Sequence, residues 1–156
     1  VESWASMSLM KSEEDIEGDV HGYIPRPTDQ RFAFSLFFQD YFPGNPSYKM
    51  NLKLHYSSGL PTGAINSERH EQVFRIPAYR RVDIGFTKVI KAAGKGSKSM
   101  YFKHFDSLWI SAEVFNLLGI RNTISYLWVS DVVQNQYAVP NYLTSRLLNL
   151  KLQAKF

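Results

Sequence analysis

Strict alternation of apolar and polar residues over long runs constrains this chain more than any other feature. Near its end, Leu148, Leu150, Leu152, Ala154 and Phe156 alternate with Asn149, Lys151, Gln153 and Lys155. The same pattern recurs upstream. Tyr48, Met50, Leu52, Leu54 and Tyr56 alternate with Lys49, Asn51, Lys53, His55 and Ser57. Phe32, Phe34, Leu36 and Phe38 alternate with Ala33, Ser35, Phe37 and Gln39. Val82, Ile84 and Phe86 interleave with Arg81, Asp83, Gly85 and Thr87, and Leu108, Ile110, Ala112 and Val114 with Trp109, Ser111, Glu113 and Phe115. A weaker version, Ala5, Met7 and Leu9 against Trp4, Ser6 and Ser8, opens the chain. A period of two belongs to a strand whose faces meet different surroundings. No helical period competes.

The expected fold is therefore all-β: an antiparallel up-and-down sheet of about six long strands, near 2–11, 32–39, 48–57, 79–91, 108–115 and 148–156. Each run is about 9–13 residues long, against about 5–6 for strands of soluble proteins. Strands that cross a membrane in a barrel need about 9–11. Length thus points to the C-terminal segment of a transmembrane β-barrel, with 1–156 as one partial barrel domain. The start at Val1, inside a strand, and the end on Phe156 lead to the expectation of a piece of a larger protein with its natural C-terminus.

Composition removes several classes. With 44% hydrophobic residues the chain is not a disordered segment. It has no cysteine, which excludes disulfides and cysteine metal sites. The balance of 18 basic and 14 acidic residues gives +4, spread along the chain, so nucleic acid is not an expected partner. No apolar run approaches the roughly 18 residues of a spanning helix. That test is blind to strands, where lumen-facing polar residues interrupt every lipid-facing one.

The connectors alternate in length. Residues 12–28 are long and acidic, 42–47 a short turn, 58–78 long, 92–104 a basic Gly/Ser/Lys stretch, and 118–145 the longest. Outer-membrane barrels alternate short periplasmic turns with longer outer loops in this way. Aromatic residues, 15% of the chain, gather at strand ends as Tyr41, Tyr48, Tyr56, Tyr79, Phe105 and Phe156, the arrangement of an interfacial girdle. On the apolar parity of the fourth strand, Arg80 and Lys88 bracket Val82, Ile84 and Phe86. The tilted span between them is on the order of 20 Å, near the height of an outer-membrane apolar band. Arg80, Lys88 and Arg146, which shares this parity, are expected at the lipid headgroup edge, with Arg80 and Arg146 facing acidic headgroups.

Specific residues add a resemblance. Ser58-Gly59-Leu60-Pro61-Thr62-Gly63 opens a long loop, and Ile76-Pro77-Ala78-Tyr79-Arg80-Arg81-Val82-Asp83-Ile84-Gly85-Phe86 begins the next strand. Ala112-Glu113-Val114-Phe115-Asn116-Leu117-Leu118 follows, then Asn122 and Ser125-Tyr126, and the chain ends in alternating residues to Phe156. This succession resembles the C-terminal end of TonB-dependent outer-membrane receptors, from about residue 57 onward. The resemblance implies the last strands of a barrel of about 22, with a plug in its lumen. It implies import of a scarce nutrient (an iron chelate, cobalamin, or a glycan or peptide) across the outer membrane of a Gram-negative bacterium. The implied partners are the lipid bilayer and lipopolysaccharide, the barrel-assembly machinery, the receptor's own plug, and the TonB energy-coupling complex. No cofactor and no enzymatic activity are implied. Leu150, Leu152, Ala154 and Phe156 become the assembly signal, although Ala154 is less apolar than that pattern prefers. The plug, the energy-coupling box and most strands are absent. Single-chain barrels begin at about eight strands, so six are not competent alone.

Candidate sites follow from the faces. Arg81, Asp83 and Glu113 share the lumen parity and read either as contacts to plug or substrate or, preferably, as a structural charge ladder. Tyr126, Trp128 and Tyr142 in the longest loop either stack on a ligand or anchor the loop to the rim. The acids Glu13, Asp15, Glu17 and Asp19 lack the spacing of a calcium loop and read as solvated. Lys95–Lys98 only superficially resembles a phosphate loop, and His70-Glu71 does not continue into a zinc motif. Two other readings stand beside the receptor. A small complete barrel, adhesin-like or enzymatic, would hide further strands in 60–76 and 120–135. An enzyme would need a nucleophile–base pair, and no Ser–His pairing is visible. A soluble β-sandwich binding module is the third.

Overall fold

The structure, a computed structural model, describes residues 2–65, 67–92, 104–143 and 145–156. Its strands in chain order are β1 (Glu2–Leu9), β2 (Glu13–Asp15), β3 (Tyr23–Pro25), β4 (Phe32–Phe42), β5 (Asn45–Ser57), β6 (Pro61–Thr62), β7 (Phe74–Arg75), β8 (Tyr79–Lys91), β9 (Ser107–Phe115), β10 (Thr123–Ser130), β11 (Gln136–Tyr142) and β12 (Leu147–Lys155). The six long alternating segments form one antiparallel sheet in the order β1-β4-β5-β8-β9-β12, so sheet order follows chain order. The chain is all-β and up-and-down. The sheet is open: β1 and β12 are its edges and do not pair with each other.

Register settles which residues share a face. Leu36 stands opposite Ala5 and Leu54, Leu54 opposite Val82, and Ile84 opposite Leu52 and Val114. Ala112 faces Leu150, and Ile110 faces Leu152. One face is thus apolar from edge to edge. The other carries Ser35, Lys53, His55, Arg81, Asp83, Glu113, Asn149 and Lys151 along the same ladders. Leu150, Leu152, Ala154 and Phe156 fall on the apolar parity and are exposed.

Among the described residues no second layer covers the apolar face. Leu108 is the only buried hydrophobic residue of the sheet among the described residues, Ile24 being buried in the first loop, while Leu148, Leu150, Leu152, Met7, Leu9, Phe86 and Ile110 lie exposed. The chain exposes 11125 Å² at a mass of 18.0 kDa. A compact monomer of that mass would expose about 8,000 Å². The excess, roughly 3,000 Å², is the size of a large permanent interface.

The structure sharpens two sequence expectations. The turn expected over 42–47 shrinks to Pro43-Gly44, because Gly44 adopts φ +75 and reverses the chain in two residues. A register shift beside Phe42 puts its ring near Phe86, 6.4 Å away, and Tyr48, 6.4 Å away. The girdle residues also divide. Tyr48 and Tyr56 pair with Lys88 and Arg80 on the apolar parity, whereas Tyr41 and Tyr79 fall on the polar one. Phe105 and Phe156 meet at 4.9 Å at the turn end. The basic stretch of 92–104, with Lys95–Lys98, lies almost wholly outside the described residues.

The strand segments suspected in 60–76 and 120–135 exist but do not join the sheet. β6 pairs only with β7, and β10 with β11, because both pairs stand within loops. A short 3-10 turn at Arg69–Glu71 is the one helical element among the described residues. The three long connections, 10–31, 58–78 and 116–146, all leave the same end of the sheet, as an up-and-down order requires.

Candidate functional site: the polar face and its loop cap

The polar face holds a cavity of about 670 Å³ lined by Trp4, Phe37, Lys53, His55, Tyr79 and Arg81, with Ser35 and Asp83 beside them. Its size is that of a small-molecule pocket. Arg81 Nε donates to both carboxylate oxygens of Asp83, at 2.7 and 3.0 Å. Asp83 also accepts the backbone N–H of Asn116 at 2.8 Å. Asn116 sits at φ 52, a conformation its short amide tolerates, and its side chain closes the next turn on Ile120 at 2.9 and 3.1 Å. The Arg81 guanidinium lies 5.2 Å from the Phe115 ring. Asp83 therefore ties β8 to the start of the third loop.

Glu113 is not in direct contact with that pair. Register puts it opposite Gly85, where it accepts a long hydrogen bond from Asn149 Nδ2 at 3.5 Å. The two parts share a face but form separate links. Arg81→Ala is expected to destabilise the folded sheet by about 2 kcal/mol, because buried Asp83 loses its principal donor. Urea unfolding measures this. A normal midpoint with altered ligand or plug binding would make the pair a recognition element instead.

One expectation is corrected. Ser35 and His55 are opposite one another on β4 and β5, and Ser35 Oγ shares a 2.8 Å hydrogen bond with His55 Nδ1. A separation of 20 residues hid this pair, since it depends on the two-residue turn between the strands. The Tyr79 ring stands edge-on to His55 at 5.4 Å. Among the described residues no carboxylate bonds the other His55 nitrogen, so the pair stops short of a nucleophilic triad.

Above the cavity the loops interlock. Asp29, 0% exposed, accepts the Ser12 backbone N–H at 2.7 Å and Arg31 Nε at 2.6 Å, and it pairs with Arg75 of the second loop. Arg75 Nη1 also donates to the Asp29 carbonyl at 2.8 Å and to the Gly59 carbonyl at 3.1 Å. Burial alone would raise the Asp29 pKa. The Ser12 amide and the two guanidiniums outweigh it and hold the carboxyl well below the usual carboxylate range. Farther out, Arg69 donates to Glu14 at 2.6 Å and to the Pro25 carbonyl at 3.1 Å, and His21 stacks on His70 at 3.7 Å. The Arg69 hydrogen bond lowers the Glu14 pKa.

Sequence reasoning missed Asp29. Its only local signal is an acid set between Arg26 and Arg31; the partner Arg75 lies 46 residues away. The other loop acids hold no metal-like cluster among the described residues. Glu13 pairs with Lys11 at 2.7 Å and Arg31 at 3.6 Å. Tyr126 packs on Phe74 of the second loop at 5.5 Å, with Trp128 next to it at 6.4 Å, and both are half-buried. Tyr142 is exposed. Asn122 binds both backbone groups of Arg80, at 2.9 and 2.8 Å, which locks the third loop to β8.

No protein-family model matches this sequence, and no curated protein or solved structure matches it significantly.

Proposed function

We propose that this chain is barrel wall from a TonB-dependent outer-membrane receptor of a Gram-negative bacterium, contributing to uptake of a scarce nutrient such as an iron chelate, cobalamin, a glycan or a peptide. One observation carries the membrane part of the reading: a six-stranded meander presents an edge-to-edge apolar face with no protein layer over it among the described residues. Water is a poor solvent for that face, and lipid a good one. The polar face then borders the lumen, and the three interlocked loops form part of its outer rim. The receptor part rests on the motif succession from Ser58 to Phe156, with Leu150, Leu152, Ala154 and Phe156 as the assembly signal. Plug, assembly machinery and TonB complex are the partners this reading requires. A soluble sandwich needs a second sheet packed on the first, and among the described residues the other sheets are two-stranded pairs within the loops.

The absence of cysteine makes the test direct. The complete receptor that carries this segment, free of cysteine elsewhere, is reconstituted in phosphatidylcholine vesicles with single cysteines placed by Leu52→Cys, Ile84→Cys and Leu150→Cys, or by Lys53→Cys, Thr87→Cys and Lys151→Cys. The first three are expected to resist a water-soluble maleimide and to be quenched by a spin label in the acyl chains. The second three are expected to react freely. Equal labelling of all six, or a monomer soluble without detergent, sinks the membrane reading. An upstream reading frame encoding a plug is expected of a receptor. A signal peptide immediately before Val1 would favour a small complete barrel instead.

A further inference from the structure

Aromatic residues interrupt the polar parity of several strands, and most of them have a use within the fold. Tyr41, Trp109 and Phe115 each carry a cation over the ring: Lys49 at 5.4 Å, Lys151 at 5.1 Å and Arg81 at 5.2 Å. Tyr79 meets the His55 ring edge-on. Trp4 and Phe37 are the exception. They stand opposite one another on β1 and β4 with ring centroids 6.1 Å apart, and among the described residues no cation covers either ring. Trp4 is 55% exposed. Both line the 670 Å³ cavity, and the next residue in their row, opposite Phe37 on β5, is Lys53. Lys53 is therefore one strand spacing, about 5 Å, from Phe37 and two, about 10 Å, from Trp4.

Charge defines the rest of the ligand. Lys53 forms no ion pair or hydrogen bond among the described residues. Asp83, its neighbour across β8, is committed to Arg81 Nε and to the Asn116 N–H. The Arg81 and Asp83 charges cancel, so Lys53 leaves the cavity with an unbalanced positive charge. His55 stands two residues farther along the same face. With Ser35 Oγ donating to its Nδ1, Nε2 carries the proton and is a second donor on the wall. Uncovered ring faces take a flat apolar body, and an ammonium beside a ring N–H takes a carboxylate. Aromatic walls with a few polar groups to fix orientation are the make-up of a small-molecule site. We propose that this cavity binds a small planar aromatic carboxylate, its rings on Trp4 and Phe37 and its carboxylate on Lys53 and His55. The site is made by the polar face alone and does not depend on what covers the apolar one.

The test is equilibrium dialysis of 2-naphthoate against the complete protein that carries this segment, with protein-free vesicles as the blank. Wild type is expected to bind it saturably, and to bind the uncharged 2-naphthylmethanol more weakly. Lys53→Gln, whose side chain makes no bond to the fold, is expected to weaken 2-naphthoate about 10-fold or more and to leave 2-naphthylmethanol unchanged. Trp4→Ala is expected to weaken both probes, by about 10-fold for the lost stacking. Glucuronate, an acid without a flat apolar body, is expected not to compete. No saturable binding to wild type, or equal binding of 2-naphthoate to wild type and Lys53→Gln, overturns the site. Glucuronate competing as well as 2-naphthoate itself overturns the aromatic class. The membrane reading fails separately, since equal maleimide labelling of the six cysteine positions would sink it and leave this site standing.

Discussion

Replacing Gly59 by alanine is expected to open the second loop at its base. A Cβ there would lie 1.5 Å from the Ile76 carbonyl oxygen and 2.5 Å from its carbon, both backbone atoms with no rotamer to escape through. The Leu60 carbonyl accepts the Ile76 N–H at 3.0 Å, so the clash falls where the two limbs of the loop are stitched. The Gly59 carbonyl also holds Arg75, and displacement would loosen the Asp29 cluster with it. The cost is expected at about 3 kcal/mol or more, the upper range for overpacking a tight site. The readouts are the urea midpoint and new proteolytic cleavage within 58–78. Gly44→Ala supplies the contrast: its added methyl meets nothing within 4 Å, so only the φ of +75 resists it. A loss near 1 kcal/mol is expected there. Equal effects at the two glycines would show that close approach does not set the loop.

Asp29→Asn is the second large effect. The amide keeps the shape but removes the charge that satisfies Arg31, Arg75 and the Ser12 N–H. Roughly 3 kcal/mol is expected, near the lower end for breaking a buried pair, because both arginines retain some access to water. The pH dependence has a definite sign. The folded carboxyl is held below its unfolded value, so its contribution is complete above about pH 4 and is lost as pH falls further. Wild type should therefore keep the joint between its first and second loops through mild acid and release it only in strong acid. The variant should show an open joint at neutral pH and no such acid transition. Hydrogen exchange at Ser12 and Phe32, whose N–H groups bond Asp29 and Ser58, reports it locally. Protection that is unchanged in the variant would remove Asp29 from its role. The Gly59 and Asp29 substitutions share Arg75 and should not be additive.

The strands were legible because a sheet writes its own period. Every long alternating run became a sheet strand, with ends shifted by a few residues, and parity alone sorted Arg80 from Arg81 and Leu150 from Lys151. What parity does not carry is height. Glu113 shares the Arg81 face but stands opposite Gly85, because register is set by turns and bulges rather than by alternation. The Ser35–His55 bond was hidden for the same reason. The bonds of Glu14 to Arg69 and of Asp29 to Arg75 were hidden because those partners sit in another loop.

By itself, then, the sequence determined an all-β chain, its six sheet strands and the division of each into an apolar and a polar face. These are local properties, written every second residue by side-chain chemistry. Only the tertiary structure decided that, among the described residues, the sheet is open and its apolar face uncovered. It also decided that Asp29 is the hub of the loops. Those are relations between distant segments, and they arise only when turn geometry and register bring the segments side by side.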